Sequence, residues 1–168
     1  SVRFDVYRWD GKRPSRVYRT KIMVRLGDGV FKTGKLSRQG MARTLKAFIG
    51  FRRLMRQLRV ERVVAFGTSA LRSSTNSKSL LDAILAKTGI QVRVISGPEE
   101  GRLIARGIMA NIEVPRNSYV LIDIGGGSTE VSICRGEKVL VCRSLPLGAN
   151  RLQQLYLKTM PPRTRKGQ

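Results

Sequence analysis

The chain has 168 residues, of which 33 are Lys or Arg and 11 are Asp or Glu, so it carries a formal charge of +22 with no histidine. At 41% hydrophobic residues, with 17 glycines scattered between periodic segments, it reads as a globular protein long enough to bury a core. The missing histidine and the presence of only two cysteines, Cys134 and Cys142, argue against a Ser-His-Asp or Cys-His catalytic pair, a structural zinc site and a disulfide framework.

No apolar run approaches the roughly 18 residues of a membrane span, and no leader pattern precedes the first strand, so the expectation is a soluble cytoplasmic protein with reduced thiols. A charge this high calls for a polyanion: nucleic acid, an anionic membrane surface or a phosphate-rich substrate.

Val2, Phe4 and Val6 alternate with polar neighbours, which predicts a half-buried strand from the first residues onward. Asp10-Gly11 turns the chain into a second extended stretch over 16–26. Ser37 is placed to cap a long helix to Leu58, with Met41, Leu45, Phe48, Phe51, Met55 and Leu58 on its apolar face and many arginines elsewhere. Val63-Val64-Ala65-Phe66 predicts a short buried strand, followed by a polar segment over 68–79 that holds Arg72. Helices over 77–87 and 99–111, the latter with Leu103, Ile104 and Ile108 inward, flank a strand at Val92, Val94 and Ile95. This order predicts a mixed sheet, antiparallel then parallel, joined by crossover helices.

Pro115-Arg116-Asn117 marks a boundary between a first unit, 1–117, and a second, 118–168. Strands over 119–124, 129–134 and 138–146 and a helix over 149–158 follow, and the basic tail 163–168 reads as a frayed end. Three strands are too few for a stable second domain, which suggests that its remainder lies beyond this sequence.

Segment 123–130, Asp-Ile-Gly-Gly-Gly-Ser-Thr-Glu, lies between two strands with a carboxylate at each end. Three consecutive glycines free the backbone to present successive amides to an oxyanion, where a side chain at Gly126 would obstruct it. A glycine-rich hairpin with two solvated acids is the plain alternative. Glu99 and Glu100 open a helix, where acids ordinarily complement the dipole. Four of the chain's 11 acids nevertheless fall in these two segments, and two carboxylates beside a phosphate nest can hold Mg²⁺ while a third takes a proton from water. Arg72 follows a strand end, a place to grip phosphate, although a solvated arginine is the simpler reading.

Thr68-Ser69-Ala70-Leu71-Arg72 with Asn76, Ile95-Ser96-Gly97-Pro98-Glu99-Glu100-Gly101-Arg102-Leu103, segment 123–130, and the stretches 25–29 and 33–37 together resemble the exopolyphosphatase and guanosine pentaphosphate phosphatase (Ppx/GppA) family. The resemblance implies an α/β actin-like fold of two ribonuclease-H-like lobes and Mg²⁺-dependent hydrolysis of a terminal phosphoanhydride in polyphosphate or guanosine pentaphosphate. It implies Glu100 as general base, Asp123 and Glu130 as metal and water-positioning acids, Gly125, Gly126, Gly127 and Ser128 as a phosphate loop, and Arg72 as a phosphate ligand. Two departures stand out. Gly101 replaces the usual alanine, and the family's first phosphate loop, Asp-x-Gly-Ser-Asn-Ser, has only its last residue matched, by Ser1.

The expected partners are the phosphate substrate and a second copy of the chain in a dimer, with nucleic acid secondary and no membrane. The rival reading is a polyanion-binding module for polyphosphate or RNA without turnover; an aromatic content of 6% argues against base stacking.

Overall fold

A computed structural model describes residues 1–157, so the tail over 163–168 and the far end of the last helix, Lys158, lie outside the described residues. Two strands, β1 (Val2–Trp9) and β2 (Pro14–Ile22), form an antiparallel hairpin that pairs Phe4 with Thr20 and Val6 with Tyr18. A single turn, α1 (Val30–Thr33), lies between glycines at positive φ, Gly29 and Gly34, and escapes the sequence pattern because four residues show no period.

The long helix α2 (Arg38–Gln57) starts where Ser37 predicts, with the Ser37 hydroxyl accepting from the Gly40 amide at 3.1 Å. Its buried stripe runs through Gly40, Thr44, Ala47, Phe51 and Met55, and Phe51 stacks on Phe4 with ring centroids 4.7 Å apart. Met41, Leu45 and Phe48 pack at the margin, whereas Leu58 is exposed because the helix has ended.

The strand expected at 63–66 is shifted to β3 (Ala65–Gly67), and Val63 and Val64 are exposed. It pairs in parallel with β4 (Val92–Val94) through the helix α4 (Ser77–Thr88). A four-residue helix, α3 (Ser69–Arg72), occupies part of the segment read as merely polar. The hairpin β1–β2 and the pair β3–β4 share one apolar core with α2 and α4, but among the described residues they are hydrogen-bonded as two separate sheets.

Helix α5 (Gly97–Met109) is capped by Ser96 and leads to an antiparallel meander, β5 (Ser118–Ile124), β6 (Thr129–Arg135) and β7 (Lys138–Leu145), then to α6 (Ala149–Tyr156). α5 covers one face of the meander through Gly97, Gly101 and Ala105, a stripe of small residues, so that Leu103 points to solvent and only Ile104 and Ile108 lie partly inward. The face under α5 carries the in-register row Asp123, Glu130, Ser144 and the row Leu121, Ser132, Cys142. The opposite face carries Ile124, Thr129, Leu145, then Ile122, Val131, Arg143, then Val120, Ile133, Val141, and most of these are open to solvent.

Candidate active site

The glycine loop between β5 and β6 is shaped by hydrogen bonds to its carbonyls. The Gly125 amide closes the turn on the Ser128 carbonyl at 2.9 Å. The Ala149 amide donates to the Gly125 carbonyl at 3.0 Å, and the Arg151 amide to the Gly126 carbonyl at 2.9 Å. The Arg151 Nε donates to the Gly127 carbonyl at 2.7 Å. In a planar trans peptide the carbonyl of one residue and the amide of the next point in opposite directions. Tying these three carbonyls to α6 therefore turns the Gly126, Gly127 and Ser128 amides away from it, and none of the three has an acceptor among the described residues.

The glycines are not equivalent. A Cβ at Gly127 would collide with Ser69 Oγ and, at 2.6 Å, with the Phe31 ring. At Gly126 it would lie 3.6 Å from the Asn150 Cβ, an ordinary contact on the α6 side. Within the protein, the tightest packing of the loop is therefore at Gly127. Gly148, ahead of α6, lies so close that a Cβ there would strike the Gly126–Gly127 peptide.

Arg72, the last residue of α3, reaches this loop. Its Nη1 donates to the Ile95 carbonyl at 2.9 Å and to Glu100 Oε2 at 2.8 Å, and its Nη2 approaches Ser128 Oγ at 3.5 Å. Glu100 is brought to the same point by the first turn of α5, which seats against the sheet because a Cβ at Gly97 would overlap Ser144 and one at Gly101 would overlap Cys142. Burial pushes the Glu100 carboxyl above the usual range; the Arg72 guanidinium opposes this, and Glu130 and Asp123 reinforce it. Its neighbour Glu99 pairs instead with Arg93 at 2.7 Å, which holds its carboxyl below the usual range. Structure thus separates the two glutamates into a site residue and a surface partner.

Asp123 and Glu130 face each other across β5 and β6. Glu130 is 3% exposed and accepts from the Ser144 hydroxyl at 2.7 Å, whereas Asp123 is exposed. Among the described residues no group of three or more His, Cys, Asp or Glu side chains is arranged to cage a metal. Asn76 serves the backbone of Leu36, accepting from its amide at 2.8 Å and donating to its carbonyl at 3.0 Å.

The sequence reading missed Arg151 and Gln154 on α6. Gln154 donates to the Gly27 carbonyl at 2.8 Å and accepts from the Phe31 amide at 3.2 Å, joining α6 to α1. Neither residue lies in a motif, and the available signal was indirect: in a helix expected to end the chain, both stand on one side, three positions apart.

No helix among the described residues is long and apolar enough to cross a membrane. The family model described as the Ppx/GppA phosphatase family matches residues 6–168. Exopolyphosphatase 1 of Mycobacterium tuberculosis is 30% identical over 156 residues, which cover 93% of this chain and 45% of that protein. The guanosine-5'-triphosphate,3'-diphosphate pyrophosphatase of Photobacterium profundum is 33% identical over 138 residues, 82% of this chain and 28% of that protein. The crystal structure of an exopolyphosphatase from Cytophaga hutchinsonii superimposes with a TM-score of 0.89 at 32% identity over 95% of this chain and 51% of that one. This chain therefore spans about half the length of these relatives or less, and its mixed α/β arrangement is the one seen in the solved exopolyphosphatase structure.

Proposed function

The chain belongs to the Ppx/GppA phosphatase family, and from that premise we propose that it carries one phosphate loop and the water-activating carboxylate of a phosphoanhydride hydrolase. The substrate is inorganic polyphosphate, with guanosine pentaphosphate the second candidate; both are suggested by the names of the relatives. The observation that carries the reading is the set of three amides at Gly126, Gly127 and Ser128 that turn away from α6 without an acceptor among the described residues, next to the Arg72–Glu100 pair.

In this mechanism the three amides bind the oxygens of the terminal phosphoryl group, and Arg72 neutralises part of its charge. Arg72 holds Glu100 through Oε2, which leaves Oε1 to accept a proton from an in-line water. The water oxygen bonds to phosphorus, the bridging P–O bond breaks, and the shortened chain departs with the electron pair.

Mg²⁺ fits the acids present. Asp123 and Glu130 stand in direct register, where cross-strand neighbours have Cβ atoms about 5 Å apart and two negative charges repel. Two carboxylates with waters and substrate phosphates suit the ion, which needs no cage of protein ligands. When bound, it would be held by Asp123 and Glu130 and would neutralise charge on the phosphate.

The test is calorimetric titration with polyphosphate and guanosine pentaphosphate beside a phosphate-release assay. Binding is expected, together with release that E100Q abolishes. Absence of binding, release that persists in E100Q, or tight binding without release by the wild type would each overturn the assignment.

A further inference from the structure

Arg151 has more contacts than a surface helix residue needs. Besides the bond from Nε to the Gly127 carbonyl, its Nη2 donates to Ser73 Oγ at 3.0 Å, and its guanidinium lies 4.2 Å from the centroid of the Phe31 ring. It therefore touches the glycine loop, the residue after α3 and α1 at once. Burial and the nearby Arg72 lower its affinity for its proton, which an arginine tolerates without losing charge. A second cation beside Arg72 is a cost, and no carboxylate offsets it among the described ion pairs.

We propose that Arg151 is a positioning residue for the phosphate loop. It draws the Gly127 carbonyl toward α6 and so aims the Ser128 amide, the one of the three whose direction no backbone bond from α6 fixes. The Gly125 and Gly126 carbonyls are held by the amides of Ala149 and Arg151, bonds that any side chain would allow. The Gly127 carbonyl depends on the Arg151 side chain. The planar fork suits this task, since Nε and Nη2 serve two acceptors while the face stacks on Phe31. Through Ser73 the same guanidinium joins the loop to the segment that carries Arg72, so the two phosphate-binding elements keep a fixed spacing.

The inference rests on the phosphate-loop reading, and the experiment separates the two. Amide shifts of Gly126, Gly127 and Ser128 are followed by NMR during titration with inorganic tripolyphosphate, in wild type, R151M, R151K and R53M, the last removing a charge on α2. All three amides are expected to respond in the wild type. In R151M the Ser128 amide should be displaced before any ligand is added and apparent affinity should fall about tenfold, equivalent to about 1.4 kcal/mol. R151K keeps the charge but loses the planar fork and the face that stacks on Phe31, so its loss should be intermediate, and R53M should change affinity less than about twofold at moderate salt. A wild type whose amides ignore tripolyphosphate would overturn the phosphate-loop reading and this role with it. A responsive wild type with R151M indistinguishable from R53M would overturn the Arg151 role alone. If R151M fails to fold, R151K decides: wild-type Ser128 shifts and affinity in R151K would overturn the role.

Discussion

Glu100 is held between opposing influences, burial raising its carboxyl pKa and Arg72 opposing the rise, and burial prevails. Its neutral form is therefore favoured by folding. That contribution to stability is complete below the ordinary glutamate range and is lost as pH climbs through the raised value. E100Q, uncharged at every pH, should accordingly melt higher than wild type near pH 7, with the gap closing as pH falls below the ordinary glutamate range. Thermal melts from acid to neutral pH check this; a variant that melts lower throughout would show that the carboxylate is a net stabiliser. Any phosphate release should fall by at least about 100-fold in E100Q, in line with removal of a general base, and in the wild type it should rise with pH as Glu100 loses its proton. The sequence displayed Glu99 and Glu100 as an undivided pair. The position of Arg93 on the adjoining β4 and of Arg72 at the end of α3 separates them, and the contact that makes Glu100 a site residue spans 28 positions of chain, beyond the reach of local pattern.

Among the elements, α5 and its sheet show how closely helix and strand can approach. Gly101 leaves space that Cys142 Sγ fills, and an added Cβ would also lie 3.2 Å from Glu130 Cβ. G101A gains about 1 kcal/mol of helix propensity but overpacks the interface at a cost of about 1–3 kcal/mol, so urea denaturation should show net destabilisation. C142A should remove the conflict, and G101A with C142A should be more stable than the sum of the single changes; strict additivity would refute the pairing. The glycine loop gives a second contrast. G126A should bind tripolyphosphate within about twofold of wild type, because its Cβ has ordinary room, whereas G148A must push the Gly126–Gly127 peptide aside and should weaken binding about tenfold or more. Calorimetry decides, and equal affinities would count against the seating of α6 on the loop. Elements with a long period or a cap, such as α2 behind Ser37, were legible in the sequence. The inward face of α5 was not, because its contact surface is made of Gly97, Gly101 and Ala105 and the apolar pattern pointed to Leu103. α1 and α3 are single turns fixed by their surroundings and leave no periodic trace.

For the whole molecule, charge and apolar exposure act against each other. Four ion pairs form among the described residues, which leaves most of the basic excess solvated. Across the open face of the β5–β7 sheet, Ile122 and Ile124 are 63% and 71% exposed, a patch that favours association once repulsion is screened. Raising ionic strength from about 0.01 M to 1 M shortens the screening length from about 30 Å to about 3 Å. Light scattering should then show a larger mean mass at high salt, relieved by I122S, which leaves the face under α5 untouched. A mass that does not change with salt would show that the face is harmless. The separate ladders beneath the shared core have a further consequence, in the order in which amide protons exchange with solvent. Since β1–β2 and β3–β4 meet only through side chains, either ladder can open without breaking a hydrogen bond of the other, and protection should divide into units with separate opening energies. The hairpin, whose far end from Tyr7 to Arg16 is exposed, should exchange first, and β6, bonded on both sides, last. Uniform exchange across β1, β3 and β6 would mean that the core couples the ladders as firmly as a continuous sheet.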